Sequence, residues 1–344
     1  MRKLALLFIA LVLLVQAGFG LELKDGRMRL VVEERTGRFA IYYLSDVAKN
    51  RYTPFLYDQE MRTTYPTLMI DQKTYKLGDS SEFRVSVKTD DMGALRIEFR
   101  SAFCVVRQSF TFIASPGSTM SDGVAIDFSI ENVSQTEASF GLRVLYDTWL
   151  GEKSSAHFSG SLAGPLSVET SLIDIQDQWI RSSEAGSSKE ATTSLQLLLS
   201  SPATRPDRLI AANWKRLNDA NWSFDTNAYR NYTLLPYSIN DSALALYFDP
   251  SVLRPGAARS IRTILSQAND GYPVLADGAS MSPSLSIRAP SESAPLDAMA
   301  DLIVLRSVLD AINEAIGSGE KPDDQSMANL KKTLQLLETR KLKY

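Results

Sequence analysis

The chain has 344 residues, 44% of them hydrophobic and 22% charged, with a formal net charge of −3 at pH 7. That composition is typical of a folded globular protein, and its acidic balance argues against general binding to nucleic acids or anionic membranes. One histidine, His157, and one cysteine, Cys104, exclude an intramolecular disulfide and a Cys/His zinc site. We expect Cys104 to be a buried apolar residue, because it lies in an apolar strand-like run.

The first 20 residues are typical of a secretory signal peptide. Arg2 and Lys3 precede an apolar run that ends at Val15, and the small residues Ala17, Gly18 and Gly20 follow. The run is shorter than the roughly 20 residues of a membrane-spanning helix. We therefore expect an exported protein, periplasmic or secreted after cleavage, with no membrane span.

Residues 21–275 predict an antiparallel β-supersandwich domain. Apolar residues alternate with polar ones along many short segments, most clearly in DGVAIDFSIE at 122–131. A period of two places one face of a strand on a core and the other in solvent. Turn signals such as Asp25-Gly26 and Pro255-Gly256 separate these segments. The Ser-rich stretch at 182–194 interrupts them and predicts an exposed loop.

The last part of the chain predicts a connector and an α-helical hairpin. Residues 276–295 are rich in serine and proline, and 296–344 show apolar spacings of three and four on both sides of a short loop. The first helix is largely acidic and the second largely basic, so they can pair with each other or with a protein partner. Two helices cannot bury both apolar faces alone, and the connector gives the hairpin reach. We therefore expect partner binding through Leu302, Leu305, Leu309, Ile312, Leu330, Leu334 and Leu337.

Four segments carry a family resemblance. They are SDGVAIDFSIENVS at 121–134, GLRVLYDTWLGE at 141–152, PDRLIAANW at 206–214 and DSALALYFDPSVLRPGAARSIRTIL at 241–265. With the N-terminal strands they resemble galactose-mutarotase-like β-supersandwich domains, and more closely uncharacterised exported bacterial proteins with a GLRxLxDTxLGE motif. The resemblance implies a two-layer β fold rather than a reaction.

The chain departs from the galactose mutarotases where their chemistry is concerned. Those enzymes use histidines together with a glutamate base, whereas His157 is the one histidine of this sequence. Sugar epimerisation by that machinery is therefore not expected here. The resemblance does not extend to the C-terminal helices.

The segment 140–158 holds the candidate ligand site. It ends a predicted strand and turns at Gly151, so that four side chains could converge on one loop rim: Asp147, Trp149, Glu152 and His157. Carboxylates bind sugar hydroxyls or Ca²⁺, and tryptophan stacks on a pyranose ring. In the alternative interpretation these residues are structural: Asp147 caps the turn, Trp149 closes the end of the sandwich and His157 is a surface residue.

Two further groups of residues have both functional and structural interpretations. Asp127 and Glu131 share a strand face but lie roughly 13 Å apart, too far for a glycosidase pair. An aromatic set could form a sugar-binding platform or belong to the core; its members are Trp214, Trp222, Tyr229 and Tyr232. The chain has no Gly-x-Ser-x-Gly elbow and no phosphate-binding loop. We expect no catalytic residue, no cofactor and no metal.

The sequence therefore supports two hypotheses of function. The first is an exported, non-enzymatic interaction protein of the bacterial envelope or periplasm, whose sandwich is a scaffold and whose C-terminal helices bind a protein partner. The alternative is a carbohydrate-binding or carbohydrate-active protein that uses the rim from Asp147 to His157.

Overall fold

The computed structural model describes residues 20–89, 94–115, 118–183, 193–269, 301, 305 and 324–341. The strands in this part of the chain are β1 (Gly20–Asp25), β2 (Met28–Glu33), β3 (Phe39–Asp46), β4 (Arg51–Pro54), β5 (Tyr65–Ile70), β6 (Lys73–Lys76), β7 (Arg84–Thr89), β8 (Leu95–Arg100), β9 (Cys104–Ile113), β10 (Gly123–Asn132), β11 (Ala138–Asp147), β12 (Phe158–Gly160), β13 (Gly164–Leu166), β14 (Thr170–Ile173), β15 (Trp179–Ser183), β16 (Ser194–Leu198), β17 (Arg208–Asn213), β18 (Ser242–Leu253) and β19 (Ala258–Gln267). The helices are a 3-10 turn at Met61–Thr63, α1 (Trp214–Asp219) and α2 (Asp324–Lys341).

The described strands form three antiparallel sheets. One has four strands in the order β1-β2-β3-β4, the second nine in the order β13-β12-β15-β16-β19-β10-β9-β8-β7, and the third six in the order β14-β17-β18-β11-β5-β6. One continuous apolar cluster takes side chains from all three sheets. The fold is therefore mainly antiparallel β with a C-terminal helix, as the sequence predicted.

Strand β10 shows how the alternating pattern builds this core. Val124, Ile126, Phe128 and Ile130 are at most 1% exposed, whereas Asp127 on the other face forms an ion pair at the surface. Burying such a side chain is worth about 1.5–3 kcal/mol. The prediction made from DGVAIDFSIE is confirmed.

The two large sheets are also joined by a buried polar contact. The Tyr146 hydroxyl of β11 lies 2.6 Å from Oγ1 of Thr263 in β19. Both residues are about 1% exposed, so the bond satisfies two polar groups that would otherwise be costly inside the core. Cys104 is buried as well, and burial raises the pKa of its thiol to about 11, so the prediction that it is a core residue is confirmed.

The structure adds elements that the sequence pattern did not predict. Helix α1 follows β17 directly, and four short strands, β12 to β15, occupy much of the weakly patterned stretch after Lys153. Of the predicted exposed loop at 182–194, residues 184–192 lie outside the described part. Gly20, the last residue of the predicted signal peptide, belongs to β1 and pairs with Glu33; residues 1–19 lie outside the described part.

The described residues include only part of the C-terminal region, where a connector and two helices are predicted. Helix α2 begins at Asp324, where the sequence predicted a start, and Asp301 and Leu305 are helical. The connector at 276–295 and most of the first predicted helix lie outside the described residues. Within those residues, none of the helices combines the length and the apolar character that crossing a membrane requires.

Candidate functional site

Asp147 is the last residue of β11, on the outer face of the six-stranded sheet. Its neighbour Tyr146 points inward to the core, and the alternation along the strand turns Asp147 the other way. The Asp147 backbone N–H donates to Oγ1 of Thr64 at 3.0 Å, and the Thr63 hydroxyl, which donates to the Glu60 carbonyl at 3.0 Å, lies beside the Asp147 carboxyl group. The side chain is only 4% exposed. Asp147 therefore lies beneath the protein surface rather than on it.

Two more acids, Glu152 and Asp241, lie close enough to Asp147 to change its ionisation. Glu152 stands in the loop after β11, and Asp241 precedes β18. Thr148 ties these segments together, because its N–H and Oγ1 both donate to the Ser242 carbonyl, at 3.3 and 2.9 Å. The Ser242 N–H in turn bonds the Glu152 carboxyl group. We call Asp147, Glu152 and Asp241 the acidic cluster.

Burial and mutual repulsion keep protons on this cluster. Burial raises the pKa of Asp147 from 3.8 to about 8, and the charges of Asp241 and Glu152 add to the rise. Burial likewise raises the pKa of Glu152 to about 8, with Asp241 again contributing. The pKa of Asp241 is raised by burial too. Asp147 and Glu152 are therefore mostly protonated at pH 7, and the acids titrate as a coupled group.

A protonated carboxyl group can donate one hydrogen bond and accept others, but it attracts cations weakly. Cation sites need ionised ligands. Among the residues that the structure describes, no set of three or more His, Cys, Asp and Glu side chains is placed to hold a metal ion. The protonated acids of the cluster can donate as well as accept hydrogen bonds, which suits a hydroxyl-rich ligand.

An aromatic pair, Tyr57 and Trp149, borders the acidic cluster. Both side chains are half-buried, and their ring centroids are 5.9 Å apart at an interplanar angle of 41°. The backbone N–H of Trp149 donates to the Phe55 carbonyl at 3.2 Å, and the backbone N–H of Tyr57 donates to the Asp147 carbonyl at 2.9 Å. Burial and the nearby charge of Asp147 raise the pKa of the Tyr57 hydroxyl. We call these two rings together with Glu152 and Asp241 the rim.

His157 does not belong to the rim. It is 4% exposed, so the interpretation of His157 as a surface residue is wrong. Its ring stacks on Tyr232 with centroids 4.4 Å apart, and burial alone lowers its pKa to about 4. Gly151 turns the chain with φ +88°, and a Cβ there would collide with the His157 carbonyl and the Ser182 hydroxyl. After this turn His157 packs in the interior against Tyr232 rather than at the surface.

All of the other sequence candidates except Tyr229 have structural roles. Asp127 pairs with Arg262 at 2.6 Å and Glu131 with Arg107 at 2.7 Å, so neither is a free carboxylate. In the aromatic set, the buried Tyr232 supports His157. Trp214 and Trp222 pack on the outer face of the six-stranded sheet, and Tyr229 is 98% exposed.

The residues between 214 and 224, which we call the cover, close that outer face beside the acidic cluster. Arg143 of β11 is fully buried under them. Its guanidinium donates to the backbone carbonyls of Leu217, Ala220 and Asn221 at 3.2, 2.9 and 3.3 Å. The Trp214 indole N–H donates to the Thr63 carbonyl at 2.9 Å. The cover therefore shields this part of the outer face, including Arg143, from solvent.

Among the candidate partner-binding residues, the structure describes three side chains. Leu305 and Leu334 are 36% and 38% exposed, and Leu337 is half-buried. The best buried positions described in α2 are instead Thr333 and Arg340, and Arg340 forms an ion pair with Asp301 at 3.1 Å. The side chains of Leu302, Leu309, Ile312 and Leu330 lie outside the described part.

The sequence pattern pointed to Asp147, Trp149 and Glu152 but not to Asp241 and Tyr57. Asp241 opens the motif DSALALYFDP, directly before a predicted strand, and an acid at a strand end is the kind of signal that pointed to Asp147. Tyr57 follows β4, in a segment without a recognisable pattern. Nothing in the sequence shows that these segments meet.

No family model and no curated protein matches the chain. Several solved structures are similar to it. A galactose mutarotase-like protein from Lactobacillus casei is 9% identical, with 72% of this chain and 100% of that chain covered and a TM-score of 0.44. An aldose epimerase homologue from C. elegans is 10% identical, covering 74% and 100% with a TM-score of 0.42. A polysaccharide lyase is 13% identical, covering 73% of this chain but 34% of that chain, with a TM-score of 0.44. All these TM-scores lie below 0.5, so the fold rests on its own strand order and register, and the activities of those proteins are not carried over.

Proposed function

We propose that the protein binds a carbohydrate at the rim. The observation that carries this proposal is the placement of carboxyl groups with strongly raised pKa values beside the half-buried Tyr57 and Trp149 rings. Sugar-binding sites combine an aromatic surface for the C–H face of the ring with a few polar groups for the hydroxyls. The rim offers both.

The protonation of the acids favours binding over hydrolysis. Glycosidases need one carboxyl group that is protonated and another that is ionised at the working pH. Here the pKa values of Asp147 and Glu152 are both raised to about 8, by burial in each case. At neutral pH the pair supplies proton donors but no strong base. We therefore propose a binding protein rather than a hydrolase.

Glycan-array screening followed by calorimetry tests the proposal. We expect Trp149→Ala to weaken binding of any glycan hit at least about tenfold, since one stacking contact is worth roughly 1–2 kcal/mol. Trp179→Ala is the matched control: Trp179 is also half-buried but packs with Arg181 on the nine-stranded sheet, with its ring centroid 3.9 Å from Cζ. Equal losses in both variants, or no glycan hit at all, would refute the proposal.

The pH dependence of binding provides a second test. Binding by protonated carboxyl groups should fade as the pH rises through about 8. Glu152→Gln is neutral at every pH, so it should retain more affinity than the wild type at pH 9 and match it near pH 6. A wild-type affinity that increases above pH 8 would contradict the role of protonated acids.

A second candidate function is protein binding through the C-terminal helices of an exported protein. The observation in its favour is that the buried positions described there are polar or charged, namely Thr333 and the Asp301–Arg340 ion pair, while Leu305 and Leu334 keep more than a third of their surface exposed. Affinity capture with the full chain and with a chain lacking residues 294–344 tests it. An identical set of partners would rule out the helices as the binding element. N-terminal sequencing of the protein recovered from its native host tests cleavage of the signal peptide and export.

A further inference from the structure

The outer face of β7 and β8 places like charges directly opposite each other. Arg84 pairs in register with Arg100, and Lys88 pairs with Arg96. All four residues are exposed, and their inward neighbours on both strands pack toward the core. On β9, Arg107 stands next to Glu98, between the two pairs. We call Arg84, Lys88, Arg96 and Arg100 the basic face.

This arrangement costs folding free energy. Like charges directly opposite on neighbouring strands are destabilising, whereas opposite charges there stabilise. Nearer the middle of the sheet, the same face carries pairs of opposite charge: Arg262 pairs with Asp127 at 2.6 Å, and Arg107 pairs with Glu131 at 2.7 Å. Packing does not demand cations at exposed positions of an edge strand. Charged side chains on the edge strand β7 hinder pairing with another sheet, but that role does not require cations directly opposite them on β8.

The described carboxylates neutralise this face only in part. Arg100 forms an ion pair with Glu98 at 3.0 Å, and Glu98 is shared with Arg107 at 3.2 Å. Neither Arg84 nor Arg96 forms an ion pair with a carboxylate in the described residues. The chain as a whole is acidic, with a net charge of −3, so the positive potential is local to this face.

A surface depression adjoins the Arg84–Arg100 pair. It has a volume of about 510 Å³ and is open to solvent. Both arginines line it, together with Phe83, the turn between β8 and β9 at Ser101, and Glu82, whose carboxylate is paired with Lys73 at 2.8 Å. An arginine fork binds carboxylate or sulfate groups through two parallel hydrogen bonds. The depression gives such a group a place to sit next to the unmatched charges.

We propose that the basic face binds a linear acidic polysaccharide, with its carboxylate or sulfate groups on Arg84 and Arg100 in the depression and on Lys88 and Arg96 further along the strands. The two pairs are four residues apart, about 13 Å at the rise of a β-strand. A flat sheet surface with charge at intervals fits an extended chain that carries repeated acidic groups. This site lies on the nine-stranded sheet and does not depend on sugar binding at the rim.

Other polyanions fit this face less well. Single-stranded nucleic acids need aromatic side chains for base stacking, and the outward positions of β7 and β8 hold none. Membrane binding needs exposed apolar side chains beside the charges. Among the described residues, none of the large exposed hydrophobic side chains lies on β7, β8 or β9. The acidic polysaccharide therefore remains the favoured partner.

Calorimetric titration of the full chain tests the proposal with polygalacturonate for the carboxylate and dextran sulfate for the sulfate, and with neutral dextran as the uncharged comparison. We expect binding to at least one acidic polymer and none to dextran, with an affinity that falls steeply as salt rises. In the double variant Arg84→Gln/Arg100→Gln, affinity should fall at least about tenfold. The matched control is Arg254→Gln, an arginine whose side chain is 85% exposed away from the basic face; it should bind like the wild type.

The same double variant has a second readout that a structural role would not produce. Removing two opposed charges should raise the melting temperature by about 1 to 3 °C, so that stability increases while binding is lost. A lower melting temperature would overturn the inference that the charges are kept at a cost. Unchanged binding, or equal binding of duplex DNA or of anionic lipid vesicles in place of the acidic polymers, would overturn the assignment of the partner.

Discussion

Replacing Asp147 by asparagine should remove the part of the pH dependence of stability that Asp147 contributes, while Glu152 and Asp241 keep theirs. The carboxyl group is 4% exposed, and its pKa is about 8 in the folded protein against an ordinary value of 3.8. Below pH 3.8 it is protonated in both states. Between pH 3.8 and 8 the unfolded chain is ionised while the folded chain stays protonated, so the stability of the wild type falls as the pH rises through that window.

The size of the effect follows from the pKa difference. About four pH units at 1.36 kcal/mol each give a limit of about 6 kcal/mol. Because Asp147 titrates together with Glu152 and Asp241, and because relaxation softens buried charges, we expect about half of that limit, ~3 kcal/mol. The substituted asparagine is neutral at every pH and has nearly the same shape as a protonated aspartate. Asp147→Asn should therefore be more stable than the wild type by ~1 kcal/mol at pH 5 and ~3 kcal/mol at pH 9.

Urea unfolding at five pH values from 5 to 9 measures this difference, provided that the m-values of the two proteins agree. Asp122→Asn is the matched control: Asp122 is also buried, but its pKa is raised only to about 6 and its carboxyl accepts from the Ser115 N–H at 2.7 Å. The difference in free energy of unfolding between Asp122→Asn and the wild type should stop growing above pH 6. Parallel stability curves for Asp147→Asn and the wild type from pH 5 to 9 would refute the reasoning.

Three further changes test the packing around the site. His157→Phe keeps the ring contact with Tyr232 and removes a side chain whose pKa is lowered to about 4 in the folded protein. Because the unfolded histidine takes up a proton below pH 6.5, the wild type loses stability as the pH falls from 6.5 to 4. In acid unfolding at pH 5 the variant should therefore be about 2 kcal/mol more stable than the wild type. Gly151→Ala should cost about 2–4 kcal/mol in thermal unfolding, because φ is +88° and the new Cβ meets the His157 carbonyl; a loss below 1 kcal/mol would contradict that geometry. Tyr146→Phe should cost about 1–2 kcal/mol by leaving the Thr263 hydroxyl unpaired, and the cost should shrink in the Thr263→Val background.

The fold could be predicted from the sequence where the alternation is regular. In β10 the inward residues, Val124 and Ile126 among them, are all apolar, so the strand and its buried face were both evident. Helix α1 was missed because six residues are too few to show a helical period, although Asn213 caps it by accepting from the Arg216 N–H at 3.3 Å. The number of sheets and their strand order depend on long-range pairing, which local patterns do not contain.

The candidate site was predictable only as far as it is local in sequence. Asp147, Trp149 and Glu152 were found because they lie within a short stretch of the chain. Asp241 joins them through the pairing of β18 with β11, and Tyr57 joins them through contacts of its backbone with Asp147. His157 lies close in sequence but not at the rim, since it packs in the interior against Tyr232. Raised pKa values are likewise a product of burial, which the sequence does not specify residue by residue.

The way in which Arg143 is held has a consequence for the evolution and engineering of the cover. Its guanidinium bonds three backbone carbonyls, which remain in place whatever side chains the residues carry. The outward side chains there, such as Lys215, Asp219 and Asn221, can therefore be exchanged without loosening the anchor. The cover is a surface on which new recognition residues can be grafted next to the rim while the sheet beneath stays unchanged.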